Sequence, residues 1–121
     1  MRTRGAVLAL LVAILVVVPA ASRSGGDVGA GEVEEKKLVD NDRVLVMEFV
    51  FPPGFKGDEH EAPVDEFAYV LDGEFAVFTK GKGKSVVKKG QVEWAPKGAV
   101  HYSVNESKRP ARVLVVLLKE R

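Results

Sequence analysis

The sequence predicts an all-β fold, an antiparallel jelly-roll barrel, preceded by an N-terminal signal or anchor helix. Three observations lead there. Beyond residue 43 the chain breaks into short apolar segments separated by Gly, Pro and Asp. No helical period appears after the first 21 residues, and an arginine-flanked apolar run opens the chain. Short strands at regular spacing with turn signals between them point to a sandwich or barrel. The two packed sheets of a jelly roll accommodate strands of this number and length.

The opening segment reads as a secretory signal over residues 1–21. Arg2 and Arg4 precede the apolar run 5–18, and the small residues Pro19, Ala20, Ala21 and Ser22 follow it. Val18 with Ala20, or Ala20 with Ser22, satisfies a small-x-small cleavage pattern. The alternative is an uncleaved anchor, because the 17 residues of 5–21 reach the lower bound of the roughly 17 to 25 that span a bilayer. The cleavage pattern favours the signal. Under either reading Arg2 and Arg4 stay on the cytoplasmic side, and the domain is expected to be exported, periplasmic or extracellular, or else membrane-anchored facing outward. Residues 22–37, SRSGGDVGAGEVEEKK, are rich in Gly, Ser and charge without an apolar period. They read as a flexible linker, which places the folded domain at 38–121.

Within that domain, 44–51 (VLVMEFVF) is apolar on both faces and is stopped by Pro52, Pro53 and Gly54. Segments 66–71 and 74–79 flank Asp72-Gly73, a strong hairpin signal. A second turn lies at 81–83, and strands at 85–88, 91–95, 99–105 and 111–119 complete the set. There is no cysteine, so stability must come from the core and sheet closure, and any metal must be held by nitrogen and oxygen. Removing Arg2 and Arg4 leaves 16 basic against 17 acidic residues, and nothing in that balance points to nucleic acid. With two histidines and no cysteine, a nucleophilic triad has no members to draw on.

Both histidines fall inside glycine-framed motifs. The first runs Gly54, five residues, His60, one residue, Ala62, three residues, Glu66, six residues, Gly73. The second runs Gly90, five, Pro96, one, Gly98, two, His101, three, Asn105. This pair resembles the two signature motifs of the cupin superfamily, over 54–105 and by extension over the whole folded part. It departs at Ala62, where the family has a second histidine. The resemblance implies a divalent metal (Fe, Mn, Ni, Zn or Cu) held by His60, Glu66 and His101, with one of the usual four ligands missing. Two imidazoles and a carboxylate with open positions suit such ions.

Strand parity refines the picture. Alternate residues share a face, so Asp58, His60 and Ala62 lie together and Glu59 and Glu61 point away. Asp58 is therefore the carboxylate able to supplement the set. His101, Ser103 and Asn105 also share a face, and Ser103 and Asn105 are candidates to orient the ligands. The bland readings are a hydrogen-bonded strand histidine and a solvated Glu66 at a strand start. The motif frames tilt the balance to metal. Trp94, sharing a face with Val92, reads as core before pocket lining. Lys80, Lys82, Lys84, Lys88 and Lys89 read as a solvated turn and a protected edge before an anion site. Asn105-Glu106-Ser107 also spells a glycosylation acceptor.

Three functions stay open: a metal-dependent enzyme on a small molecule, for which the resemblance implies oxygenase or isomerase-type chemistry; a small-molecule-binding module with or without metal; and a structural domain that has lost its site. Fold does not choose among them. The face of Met47, Phe49 and Phe51 offers no group for proton transfer, which leans towards binding. The doubly apolar segments 44–51 and 113–118 lean towards a homodimer in which each covers the other's outer face.

Overall fold

The structure is a computed structural model describing residues 31–120. The segment read as a signal or anchor, 1–21, and the first part of the linker lie outside the described residues. Within them the chain forms nine strands: β1 (Glu34–Asp40), β2 (Val44–Phe51), β3 (His60–Glu61), β4 (Asp65–Asp72), β5 (Glu74–Thr79), β6 (Gly83–Lys88), β7 (Val92–Ala95), β8 (Val100–Val104) and β9 (Ala111–Leu118). No helix long and apolar enough to cross a membrane occurs among the described residues. The strands form two sheets, ordered β1-β2-β9-β4-β7 and β3-β8-β5-β6, and every pairing is antiparallel.

The core lies between the sheets. Along β2, Leu45, Met47, Phe49 and Phe51 are buried while their neighbours are half-covered. β9 contributes Ala111, Val113 and Leu117 in the same alternation, and β5 contributes Phe75 and Val77. Phe51 stacks on Phe55 at 4.6 Å between ring centroids and tilts against Phe75 at 5.8 Å. Full burial of one such side chain contributes about 1.5 to 3 kcal/mol, so a domain without disulfides is held by this layer.

The fold differs from the sequence reading in two places. Strand β1 takes in Glu34, Glu35, Lys36 and Lys37, the end of the expected linker, and Val33 before it is buried in the core. The folded part therefore begins before Leu38. All seven residues of β1 are exposed, so no apolar alternation announces the strand; its charges suit an edge that must not pair with other chains. The Asp72-Gly73 signal, moreover, makes a corner and not a hairpin. β4 already has β9 and β7 on its two edges, and β5 has β8 and β6, so the turn carries the chain from one sheet to the other. Gly73 has φ +77°, and a Cβ there would sit 2.4 Å from the Pro110 carbonyl oxygen. The hairpin of this region is β5–β6, closed by Lys82 N–H donating to the Thr79 carbonyl at 2.9 Å.

Candidate metal centre

The two motifs meet across one strand pair. His60 on β3 and His101 on β8 are direct register partners, and their ring centroids lie 4.7 Å apart. The backbone that places them is a short clamp. Ala62 N–H donates to the Ala99 carbonyl at 2.7 Å, and Gly98 N–H returns a bond to the Ala62 carbonyl at 2.8 Å. The carboxylates come from the other sheet. Glu66 on β4 pairs with Ala95 of β7, and Ala68, two residues on, pairs with Glu93. By the period of two, Glu66, Ala68, Glu93 and Ala95 face the interior together. Imidazoles from one sheet thus oppose carboxylates from the other.

One donor atom each from His60, Glu66 and His101 lies within 4.8 Å of the others. Nε2 of His101 is 3.4 Å from a Glu66 carboxylate oxygen. Two donors each about 2.1 Å from a tetrahedral ion stand about 3.4 Å apart, so this pair needs no rearrangement to hold one. His60 accepts a fixed orientation from its own strand: Nδ1 lies 3.1 Å from the Asp58 carbonyl oxygen. Donation to that carbonyl leaves Nε2 with its lone pair free. Asp58 therefore enters through its backbone, and its exposed carboxylate is not in the cluster.

His101 is 5% exposed, and neither ring nitrogen has a hydrogen-bond partner. Buried polar atoms left this way are rare, because each costs about 1 to 3 kcal/mol. Glu93 reaches the same cavity, with a carboxylate oxygen 4.0 Å from Nδ1 of His101. Burial pushes the Glu93 carboxyl up, and the charge of Glu66 adds to that against the partial relief from His101 and Lys82. Burial alone would pull His101 down, but the carboxylates of Glu66 and Glu93 outweigh it, and its basicity ends above that of a free imidazole. Half-buried carboxylates around a buried imidazole without hydrogen bonds are a donor set that fits a cation.

The cavity that His60, Glu66, Glu93, His101 and Ser103 line, floored by Phe51 and Phe75, holds about 70 Å³. A water molecule claims about 30 Å³, so an ion with one or two waters fits. Organic ligand pockets run to about 300 to 1,000 Å³.

Other expected roles change. Asn105 is not beside the imidazoles. Its side chain, 1% exposed, donates to the carbonyls of Phe51 (2.9 Å) and Arg109 (2.8 Å) and accepts from Ser107 N–H and Oγ. It ties the end of β2 to the turn before β9, and its committed amide argues against glycosylation there. Ser103 does line the cavity. Trp94 is neither core nor cavity lining: it is 56% exposed and Val92 57%. The lysine-rich hairpin ends in β6, an edge strand exposed at five of its six residues, as the solvated-edge reading expects. Glu93 is the residue the sequence reading missed. Its parity with Ala95, opposite to Trp94, was the available signal.

Residues 47–117 match the family model described as Cupin domain. A cupin superfamily protein from Desulfitobacterium hafniense is similar in structure, with 24% identity and a TM-score of 0.68, over 84% of this chain and 89% of that one. The polyketide cyclase RemF from Streptomyces resistomycificus is 30% identical with a TM-score of 0.67, over 77% of this chain and 69% of that one. KdgF from Halomonas is 21% identical with a TM-score of 0.66, over 81% and 86%. No curated protein matches the chain.

Proposed function

This chain belongs to the cupin family, and we propose that it holds a divalent transition-metal ion on His60, Glu66 and His101 and binds or converts a small molecule there. The observation that carries this reading is His101, buried with both nitrogens unbonded between two carboxylates. When bound, such an ion supplies Lewis acidity at its open positions. The residues of the chain do the rest. Glu66 offsets the ion's charge, His60 is held in one tautomer by Asp58, and Phe51 and Phe75 keep the floor of the site dry. Ala62, fully buried where the family's other imidazole stands, leaves one more position free.

The likeness to a polyketide cyclase favours an enzyme on an organic substrate. The cavity of about 70 Å³ admits only the reacting end of such a molecule, so no polyketide substrate is carried over. Elemental mass spectrometry of the domain, purified without metal affinity resin or chelator, tests the reading against the double variant His60→Ala/His101→Ala. Near-stoichiometric metal lost in the variant supports it. An empty wild type that also takes up no added Fe, Mn, Ni, Zn or Cu overturns it in favour of metal-free binding or a structural role.

Two further parts of the reading rest on other observations. Export is supported by the N-terminal run after Arg2 and Arg4, and an intact N-terminus on cytoplasmic protein would refute it. Pairing of two copies is supported by the outer face of the larger sheet, where Val92, Trp94 and Tyr69 are 57%, 56% and 42% exposed. This face sits on β4 and β7, away from the β2–β9 contact expected from sequence, because β2 and β9 are neighbours within one sheet. Val92→Glu/Trp94→Glu converts the dimer to monomer by sedimentation velocity; a wild type already monomeric at high concentration refutes it.

A further inference from the structure

The two histidines of the site differ in one respect. His60 has a partner for its Nδ1, the Asp58 carbonyl oxygen at 3.1 Å. His101 has none. An imidazole that ligates a metal through one nitrogen almost always donates the other N–H to a carboxylate, carbonyl or water, which fixes the tautomer and raises the basicity of the ligand. Nε2 of His101 is the nitrogen turned to Glu66, at 3.4 Å, and Nδ1 is turned to Glu93, at 4.0 Å. Glu93 itself is not among the donors that lie within 4.8 Å of one another. Its side chain is 15% exposed and makes no hydrogen bond to the rest of the site. The arrangement leaves a half-buried carboxylate and a buried ring nitrogen facing each other with about 1 Å to close to the usual 2.7–2.9 Å of a charge-assisted bond.

We infer that Glu93 is the positioning residue of His101: its carboxylate accepts the Nδ1–H and thereby holds Nε2 unprotonated, towards Glu66. This rests on the metal reading above. In a chain with Ala62 in place of an imidazole, the remaining ligands carry more of the affinity, and a carboxylate behind His101 strengthens the most buried of them. Glu93 does this from β7, the strand beside Glu66, so one sheet edge supplies both the carboxylate that meets the ion and the one that orients the opposite imidazole.

The test compares wild type, Glu93→Ala and Glu93→Gln by zinc titration against a chelator of known affinity, with metal-free stability measured alongside and ¹⁵N NMR of the zinc-loaded histidines. Glu93→Ala is expected to weaken zinc about 10- to 100-fold while the site still fills to one equivalent at saturation. Glu93→Gln, whose amide oxygen accepts the same N–H without the charge, falls between. In wild type the His101 Nδ1–H resonance has the downfield position of a carboxylate-bonded proton, and Glu93→Ala loses it. Metal-free stability changes little in both variants, since the Glu93 carboxylate stands 4.0 Å from Nδ1 of His101 before an ion draws the site together, and the desolvation it sheds offsets the contact it loses. Wild-type affinity in Glu93→Ala, with the His101 resonance unmoved, overturns the inference and leaves the metal reading standing. So does weaker binding accompanied by an equal loss of metal-free stability, the mark of a merely structural residue. A wild type that takes up no zinc is titrated with Fe, Mn, Ni and Cu in turn, and one that binds none of them overturns both readings.

Discussion

Replacing Asn105 with alanine is the sharpest test of how the second motif works. In wild type the amide donates to the carbonyl oxygens of Phe51 and Arg109, and its oxygen receives Ser107 N–H and Oγ. Arg109 is exposed and Ser107 half-buried, so water can replace much of what they lose. Phe51 is 8% exposed, and its carbonyl is stranded. A stranded buried acceptor costs about 1 to 3 kcal/mol and a lost part-buried bond about 1 kcal/mol, giving a destabilisation of about 2 to 4 kcal/mol. For a domain of this size each kcal/mol lowers Tm by about 4–8 °C, so a fall of roughly 10–25 °C is expected in a melt followed by circular dichroism. Metal stoichiometry below that melt should be unchanged, because Asn105 does not line the cavity. Asn105→Asp should be at least as damaging at neutral pH, since it turns a carboxylate towards two carbonyl oxygens. A loss under about 1 kcal/mol, or emptied metal at full stability, would refute the assignment of Asn105 to the frame.

Metal-free protein should lose stability as pH rises from mildly acidic to mildly alkaline. The folded-state pKa values of Glu93 and His101 are both raised above ordinary values of 4.5 and 6.5, so the native state binds more protons than the unfolded one and the slope with pH is negative. His101's contribution is present below 6.5 and disappears as pH climbs through its raised value; the penalty from ionised Glu93 grows above 4.5. Urea melts at a series of pH values with a chelator present check this, and a positive slope between pH 5 and 8, roughly the histidine range, contradicts it. Ala62→His should tighten metal binding about tenfold or more, equivalent to 1.4 kcal/mol, at an overpacking cost of about 1 to 3 kcal/mol to the metal-free fold; unchanged affinity in a competition titration would mean position 62 does not face the ion. Gly73→Ala should destabilise by about 3 kcal/mol or more, because φ is +77° and the new methyl meets backbone at 2.4 Å. A near-neutral melt for that variant would remove the reason given for the corner.

The parts of this protein legible in its sequence are those that local chemistry dictates. The frames 54–73 and 90–105 place His60, Glu66 and His101, and the structure brings their donors within 4.8 Å. Strand β2 carries its own alternation. What stayed hidden depended on partners far along the chain. β1 has no apolar face, and only its pairing with β2 makes it a strand. Asp72-Gly73 specifies a turn, but whether the flanking strands pair is decided by β9, β7, β8 and β6 on their edges. The β7 segment misled by composition. Hydrophobicity favours Trp94 and Val92 inside, yet the register with β4 sets Ala95 against Glu66 and Glu93 against Ala68, which turns the aromatic outward and the carboxylate in.

That inversion on β7 changes the chemistry assigned to the site. The β2 face of Met47, Phe49 and Phe51 offers no ionisable group behind the ligands, which by itself leans towards binding over acid–base work. Glu93 supplies such a group, half-buried and with its carboxyl pushed up by desolvation, 4.0 Å from the imidazole it faces. Under the metal reading, Glu66 beside a divalent ion and Glu93 behind His101 would offset its charge, and the loaded centre would draw anions only weakly. Anionic groups then gain little from long-range attraction and must be held by direct contact. The cavity of about 70 Å³ adds a steric limit, and under the metal reading the two together would favour the uncharged reacting end of a small molecule.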